Sequence, residues 1–435
     1  MNKFISKCSL SEIITGIRNN SLSSKDLIDE LCKKTEEWDG LIKSFLPEKN
    51  RKERLLNDLQ KLYIKYPNTL ERPILFGIPI GVKDIFHVDN FETKGGSNLP
   101  ATVLKGKEAE VITILKKEGA LIFGKTVSTE FAYFAPGNTA NPHNFSHTPG
   151  GSSSGSAAAV SAGFVPLALG TQTIGSISRP AAYCGNIGFK PSYGRISTHG
   201  VIPFSPSADH IGFFTQDLEG SEILASLLCK KWRNSTIKNK ILSVLGIPIG
   251  NYLQQASDEI ISQFNQTCEK FRKKGFTIKE IPVFDNIEEI NSLHREMIAF
   301  EFTEVHKNWF ERYENLYRKS TIELIKKGQN VKSDIYQKAK AGQLQLRNEF
   351  AKAKAKNEID LWISPSATST APIGLSSTGD PAMNLPWTYA GLPTLAIPFG
   401  FSNSLPYGIQ FVSDFCEDEK LFDMVNVLVK AMKIV

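Results

Sequence analysis

Gly150-Gly-Ser152-Ser-Ser-Gly-Ser-Ala-Ala-Ala159 and, a short apolar run later, Gly170-Thr-Gln-Thr-Ile-Gly-Ser176-Ile-Ser-Arg179-Pro180 form the stretch on which the fold turns. Two serine- and glycine-rich loops flank a run of small residues, 156–162, that forms a close-packing helix. Gly163 is placed to end that helix, and residues 165–169 read as a buried strand. A low-complexity linker would not run into an alanine helix and a strand before a second glycine loop. Loops of this composition bring hydroxyls and backbone N–H groups close to a reacting atom.

Working outward, residues 78–82 and 121–123 read as buried strands with a helical pattern over 108–118 between them. Strands alternating with helices argue for an α/β sheet covered on both faces. Before this zone the chain is helical and polar to about residue 70. There Ser24 is a candidate cap for a helix carrying Leu27, Ile28 and Leu31 on one face, and a second helix spans 51–66. After it, residues from about 251 to 358 are lysine-rich and read as strongly helical, and 361–364 and 394–398 return to strand. The expectation is one domain over 1–435 with four parts: N-terminal helices (1–70), a core (73–240), a variable helical region (251–358) and a return to the sheet (359–435).

Composition excludes several classes. At 435 residues, 41% hydrophobic and 22% charged, the chain is ordinary for a globular protein. The net charge of +6 comes largely from lysines between Glu323 and Lys356, interleaved with Ile325, Val331, Leu344, Leu346 and Phe350. That spacing is the solvated face of amphipathic helices, and no nucleic-acid motif accompanies it. Six scattered cysteines without a C-x-x-C pair read as reduced thiols, and Lys7, Ser9, Ser11 and Glu12 break any apolar run after Lys3. The longest apolar stretch, 157–170, is interrupted by Ser161, Gly163 and Pro166 and is too short to span a bilayer. A cytoplasmic location is expected, with neither nucleic acid nor membrane as partner. No His, Cys or acidic cluster has ligand spacing, so neither metal nor cofactor is expected.

Two motif matches fail on context. Gly119-Ala-Leu-Ile-Phe-Gly124-Lys125-Thr126 fits a phosphate-binding loop, but its four variable residues are apolar and form the strand themselves. Gly151-Ser-Ser153-Ser-Gly155 fits a nucleophile elbow, which would make Ser153 the nucleophile of an α/β-hydrolase-type esterase. The elbow needs a strand immediately before it, whereas residues 136–150 read as a loop, and nothing delivers the later His199 or His210.

The whole stretch from Gly150 to Pro180 resembles the amidase signature, and further blocks agree. Gly77-Ile-Pro-Ile-Gly-Val-Lys83-Asp84-Ile85 is similar to that family's lysine motif. Gly124-Lys125-Thr126 with Glu130-Phe131-Ala132, Phe189-Lys190-Pro191, Asn384-Leu-Pro-Trp-Thr388, Gly391-Leu-Pro393 and Pro398-Phe-Gly400 follow in order. The resemblance implies a mixed sheet covered by helices on both faces, with a helical insertion. It makes Ser176 the nucleophile, Ser152 a bridging serine in a cis peptide, and Lys83 the base. Backbone N–H groups of Thr173, Ile174, Gly175 and Ser176 would hold the oxyanion. Arg179, Thr171, Ser153, Tyr133, Phe131 and Trp387 are the expected substrate-binding residues. The chemistry is coherent in itself: a serine hydroxyl needs a neighbour to take its proton, and burial makes a lysine neutral enough to do so.

The chain departs from the commonest signature, which has Asp at Gln172, Gly at Ile174 and Arg at Ser178. Its arginine comes one residue later, at Arg179, as in a branch of stand-alone, malonamidase-like amidases, where it is associated with a substrate carboxylate. Arg179 therefore either recognises an acidic group or braces the loop, and Ile174 narrows the mouth. The expected activity is hydrolysis of a linear, non-peptide carboxylic amide, a small molecule, through an acyl-serine intermediate. The alternative within the family is the glutaminase component of a tRNA-dependent amidotransferase. A homodimer is expected only from base rates.

Overall fold

A computed structural model describes residues 8–233 and 244–432, so Lys3, Lys7 and the expected core boundary near 240 lie outside the described residues. Among the described residues ten strands form one sheet: β1 (Pro79–Lys83), β2 (Leu121–Thr126), β3 (Leu167–Gln172), β4 (Ile187–Lys190), β5 (His210–Thr215), β6 (Val244–Ile249), β7 (Thr277–Pro282), β8 (Leu361–Pro365), β9 (Thr394–Ser402) and β10 (Leu405–Val412). Their order is β2-β1-β3-β5-β4-β9-β10-β8-β6-β7. The two ends are parallel (β2-β1-β3 and β8-β6-β7) and the middle is antiparallel. In β1, β2, β3, β4, β5, β8 and β10 every position is buried. Successive side chains point to opposite faces, so both faces must be covered. The expected mixed sheet between helices is what the chain forms.

Local signals fix the core. The helix Ser154–Ser161 is buried along its whole length, and Gly163 after it has φ +67°. Its small side chains allow close approach. A Cβ on Gly155 would lie 2.2 Å from the Ser44 carbonyl oxygen and 2.4 Å from the Val127 nitrogen. The look-alike phosphate loop is strand β2, and its Lys125 is engaged with Asp84 (2.8 Å), Thr93 Oγ1 and the Glu92 carbonyl. No strand precedes Gly151: residues 136–150 carry only turns and bridges.

One expectation needs correction. Ser23, not Ser24, caps the helix Ser24–Ile42, accepting from the amides of Lys25 and Asp26. The zone 251–358 is strongly helical and also holds a strand. Helices Asp258–Lys273, Ile287–Tyr313, Lys319–Gln329 and Ser333–Lys356 are joined there by β7, which pairs parallel with β6 at the sheet edge. As an edge strand, β7 exposes most of its residues and reads as polar. No described helix is long and apolar enough to cross a membrane.

Candidate active site

β1 and β3 run parallel side by side, so Lys83 at the end of one and the loop after Gln172 at the end of the other emerge at the same edge. Open α/β sheets bind ligands outside the carboxyl ends of their strands. Lys83 Nζ lies 2.7 Å from Ser152 Oγ and 2.8 Å from Thr171 Oγ1, hydrogen-bonded to both. The side chain is fully buried, and among the described residues it has no carboxylate in ion-pair contact. Burial holds its ammonium pKa well below the usual 10.5, with the more distant Asp209 charge only partly opposing the shift. The Gly151–Ser152 peptide bond is cis.

Ser152, Ile174, Gly175, Ser176 and Arg179 line one small cleft with Ala132, Tyr133, Phe134 and Pro381, with a cavity volume of only ≈ 10 Å³. The cleft widens into an outer bowl of ≈ 470 Å³ through shared walls at Tyr133, Phe134, Ile174 and Pro381, with Arg295, Ile298, Lys327 and Asp380 around it. Ser176 is 8% exposed, and among the described residues its Oγ is bonded to neither Ser152 nor Lys83. Such contacts tighten when substrate binds.

The loop 173–176 is held from behind. Its Thr173 carbonyl accepts from His294 Nε2 (3.0 Å), its Ile174 carbonyl from Thr388 Oγ1 (2.7 Å) and its Gly175 carbonyl from the Arg179 amide (3.1 Å). In a planar trans peptide the carbonyl and the next N–H point in opposite directions. The amides of Ile174, Gly175 and Ser176 therefore face away from those partners, on residues that all line the cleft. Gln172 fixes the far end: its Oε1 accepts from the amides of Ile177 and Ser178 (2.8 and 2.9 Å), and its Nε2 donates to Thr388 Oγ1. These two amides belong to the start of the helix Ser178–Cys184, whose free N–H groups need acceptors. Gly175 packs so tightly that a Cβ there would lie 2.4 Å from Asn384 Oδ1.

Arg179 is buried, with Nη2 donating to the Gly151 carbonyl (2.7 Å) and to Thr378 Oγ1 (3.1 Å). Its Nε and Nη1 have no partner among the described residues. Burial pushes the guanidinium down to about 10, so it remains a cation at neutral pH.

Other expected residues sit elsewhere. Thr171 holds Lys83, and Ser153 Oγ bonds the Thr171 backbone. Thr173 lines a neighbouring, partly open pocket of ≈ 80 Å³, and its Oγ1 donates to Asp209. Phe131 is buried among His306, Trp309 and Tyr317. Trp387 stacks on Phe350 and donates to Tyr252. These two aromatics therefore build the walls behind the cleft. The sequence reading missed His294, Thr388, Asp209 and the role of Gln172. His294 lies four residues after Ile290 and four before Ile298, a polar position on an apolar helix stripe, and that was its one available signal.

The sequence model of a family described as Amidase matches residues 26–422. The chain is 29% identical to a glutamyl-tRNA(Gln) amidotransferase subunit of Staphylococcus aureus, over 95% of each chain. A solved structure described as an amidase superposes with a TM-score of 0.87 at 26% identity, covering 97% of this chain and 99% of that one. The peptide amidase of Stenotrophomonas maltophilia shares the fold, with a TM-score of 0.82 at 21% identity over 99% and 98% of the two chains.

Proposed function

Because the chain belongs to the Amidase family, we propose that it hydrolyses a carboxylic amide through an acyl intermediate on Ser176. Ser176 Oγ attacks the amide carbon as its proton passes to Ser152 Oγ, while the Ser152 proton passes to neutral Lys83. The carbonyl oxygen, now anionic, takes hydrogen bonds from the amides of Ile174, Gly175 and Ser176, with Thr173 at the start of the loop. Lys83 then returns a proton through Ser152 to the leaving nitrogen, the C–N bond breaks, and ammonia or amine departs. Water attacks the acyl-Ser176 by the same relay, releasing the acid and restoring all three side chains. The observation that carries this reading is the buried Lys83 held by two hydroxyls, one of them on Ser152, with no paired carboxylate among the described residues.

Among the described residues Nε and Nη1 of Arg179 have no partner, which supports a substrate with a carboxylate near the scissile amide; they lie on different edges of the guanidinium, so each offers a single charge-assisted hydrogen bond. Its Nη2 braces the loop at the same time, so the two roles expected of this residue are compatible. A second reading, a glutaminase working within a complex, is favoured by the relatives named as amidotransferase subunits. Ammonia release from a panel of neutral, aromatic and carboxylate-bearing amides, with glutamine included and Ser176→Ala alongside, tests both. Activity lost in the mutant supports the amidase reading. Activity on glutamine alone, and only with a co-purifying second protein, supports the second. Equal activity in mutant and wild type overturns the nucleophile.

A further inference from the structure

The helix Ile287–Tyr313 crosses beneath the candidate oxyanion loop and meets it at one point. His294 is fully buried, and its Nε2 lies 3.0 Å from the Thr173 carbonyl oxygen. A carbonyl only accepts, so Nε2 carries the proton and Nδ1 is bare. Nδ1 has no partner among the described residues. The ring sits edge-on to Tyr389, with centroids 5.6 Å apart. An imidazole buried with one unsatisfied nitrogen costs more than an apolar residue of similar size. What offsets that cost here is a single hydrogen bond to the loop.

That bond sets a direction. The Thr173 carbonyl and the Ile174 N–H belong to one planar peptide unit, so an anchor on the first aims the second. Thr388 and the Arg179 amide anchor the next two units in the same way, but both belong to the sheet-bearing core. His294 comes from the region in which the sequence carries no recognisable motif. The next residue, Arg295, and Ile298 one turn on, line the outer bowl. On the same helix Glu301 accepts from Ser205 Oγ (2.6 Å) and the Ser207 amide (2.9 Å). The loop so held carries Asp209, which accepts from Thr173 Oγ1 (2.6 Å). The helix thus grips Thr173 both directly and through its neighbour.

We propose that His294 is a positioning residue for the oxyanion hole, aiming the Ile174 amide at the developing negative charge by anchoring the Thr173 carbonyl. This rests on the acyl-serine reading above. Burial supports a neutral ring, holding the imidazole pKa down to about 4. The anchor is therefore intact across the neutral range.

The test compares His294→Leu, His294→Gln and His294→Asn with wild type, each rate normalised to active sites counted with a fluorophosphonate. Removing an oxyanion donor outright typically costs about 100- to 1000-fold in kcat. Loosening one should cost His294→Leu about 10- to 100-fold, with KM within about threefold. Glutamine places its amide nitrogen near the Nε2 position and is expected to recover most of the rate; the shorter asparagine is not. Affinity for an aldehyde analogue, which forms a tetrahedral adduct, should fall in step with kcat, while affinity for the product acid stays level. Unchanged kcat per site in His294→Leu would overturn the proposal, as would equal losses in the Leu and Gln variants. Ser176→Ala separates the two levels. If it is as active as wild type, the acyl-serine reading itself fails; if it is inactive and His294→Leu is normal, only the role of His294 fails.

Discussion

Lys83 can take a proton only when neutral, and its surroundings push it towards that state. Desolvation disfavours the ammonium, and the two hydroxyls that contact it carry no compensating charge. With Lys83 as the base of the proposed mechanism, kcat/KM should rise with pH through one ionisation placed well below 10.5 and then level off. A pH–rate profile checks this, and a limb still rising at about pH 10 would contradict it. Lys83→Arg cannot be deprotonated in this range and should lose about 100- to 10,000-fold, the usual contribution of a general base. Arg179 belongs at the same scale. Arg179→Met should lose more activity on carboxylate-bearing amides than on neutral ones, by about tenfold, roughly one charge-assisted hydrogen bond. Equal losses would leave Arg179 as a brace on the Gly151 carbonyl alone.

At the scale of elements, the helix Ser154–Ser161, the loop before it and the loop after β3 decide where Ser152 and Ser176 stand. Gly155 lies against two backbone atoms that cannot turn aside, so Gly155→Ala should destabilise the protein by about 3 kcal/mol, at the upper end for overpacking. Urea unfolding midpoints check that, and an unchanged midpoint would show that the helix has room to shift. The same stretch was the most legible part of the sequence. Small residues between two glycine loops allow few packings, and β1 and β2 stand out as short apolar runs. β7 was hidden because an edge strand exposes most of its residues, and β4, β5 and β10 because their pairing is set by distant chain. The anchors behind the loop were hidden for a related reason. His294 and Thr388 are, respectively, 121 and 214 residues from the atoms they bond, and no local spacing encodes such a contact. Gln172 was visible as a departure from the commoner acid, yet its role as acceptor for two helix amides needed the helix in place.

Across the whole molecule, the helical region closes over the sheet edge with an aromatic cluster that includes a buried ring. His306 lies between Phe302 (centroids 3.9 Å) and Phe131 (4.5 Å), with Nδ1 on Tyr317 Oη and Nε2 unpartnered among the described residues. Burial pushes its pKa down to about 3. Below the ordinary 6.5 the unfolded chain takes up a proton at this position, and the folded chain does not until about 3. The group therefore withdraws stability as pH falls through that window. The stability advantage of wild type over His306→Phe should shrink by roughly 2 kcal/mol between about pH 7 and pH 5, measured by denaturant unfolding. A difference independent of pH would mean that the ring is solvated. Other buried groups titrate in the same range, and comparison with one variant isolates this one. The family and the sheet were legible at this scale because the signature blocks recur in order along the chain. The bowl above the cleft was less so, since Arg295, Ile298, Leu324 and Lys327 in its wall come from helices that carry no motif.

The central claim is that Ser176, served by Ser152 and Lys83, is the residue acylated during turnover. Labelling with a fluorophosphonate, followed by intact mass and peptide mapping, tests it most directly. The account predicts one equivalent of label on Ser176, none in Ser176→Ala, and strongly slowed labelling in Lys83→Ala. Label on Ser153 or Ser152 in the wild type, or stoichiometric labelling that survives Ser176→Ala, would contradict it.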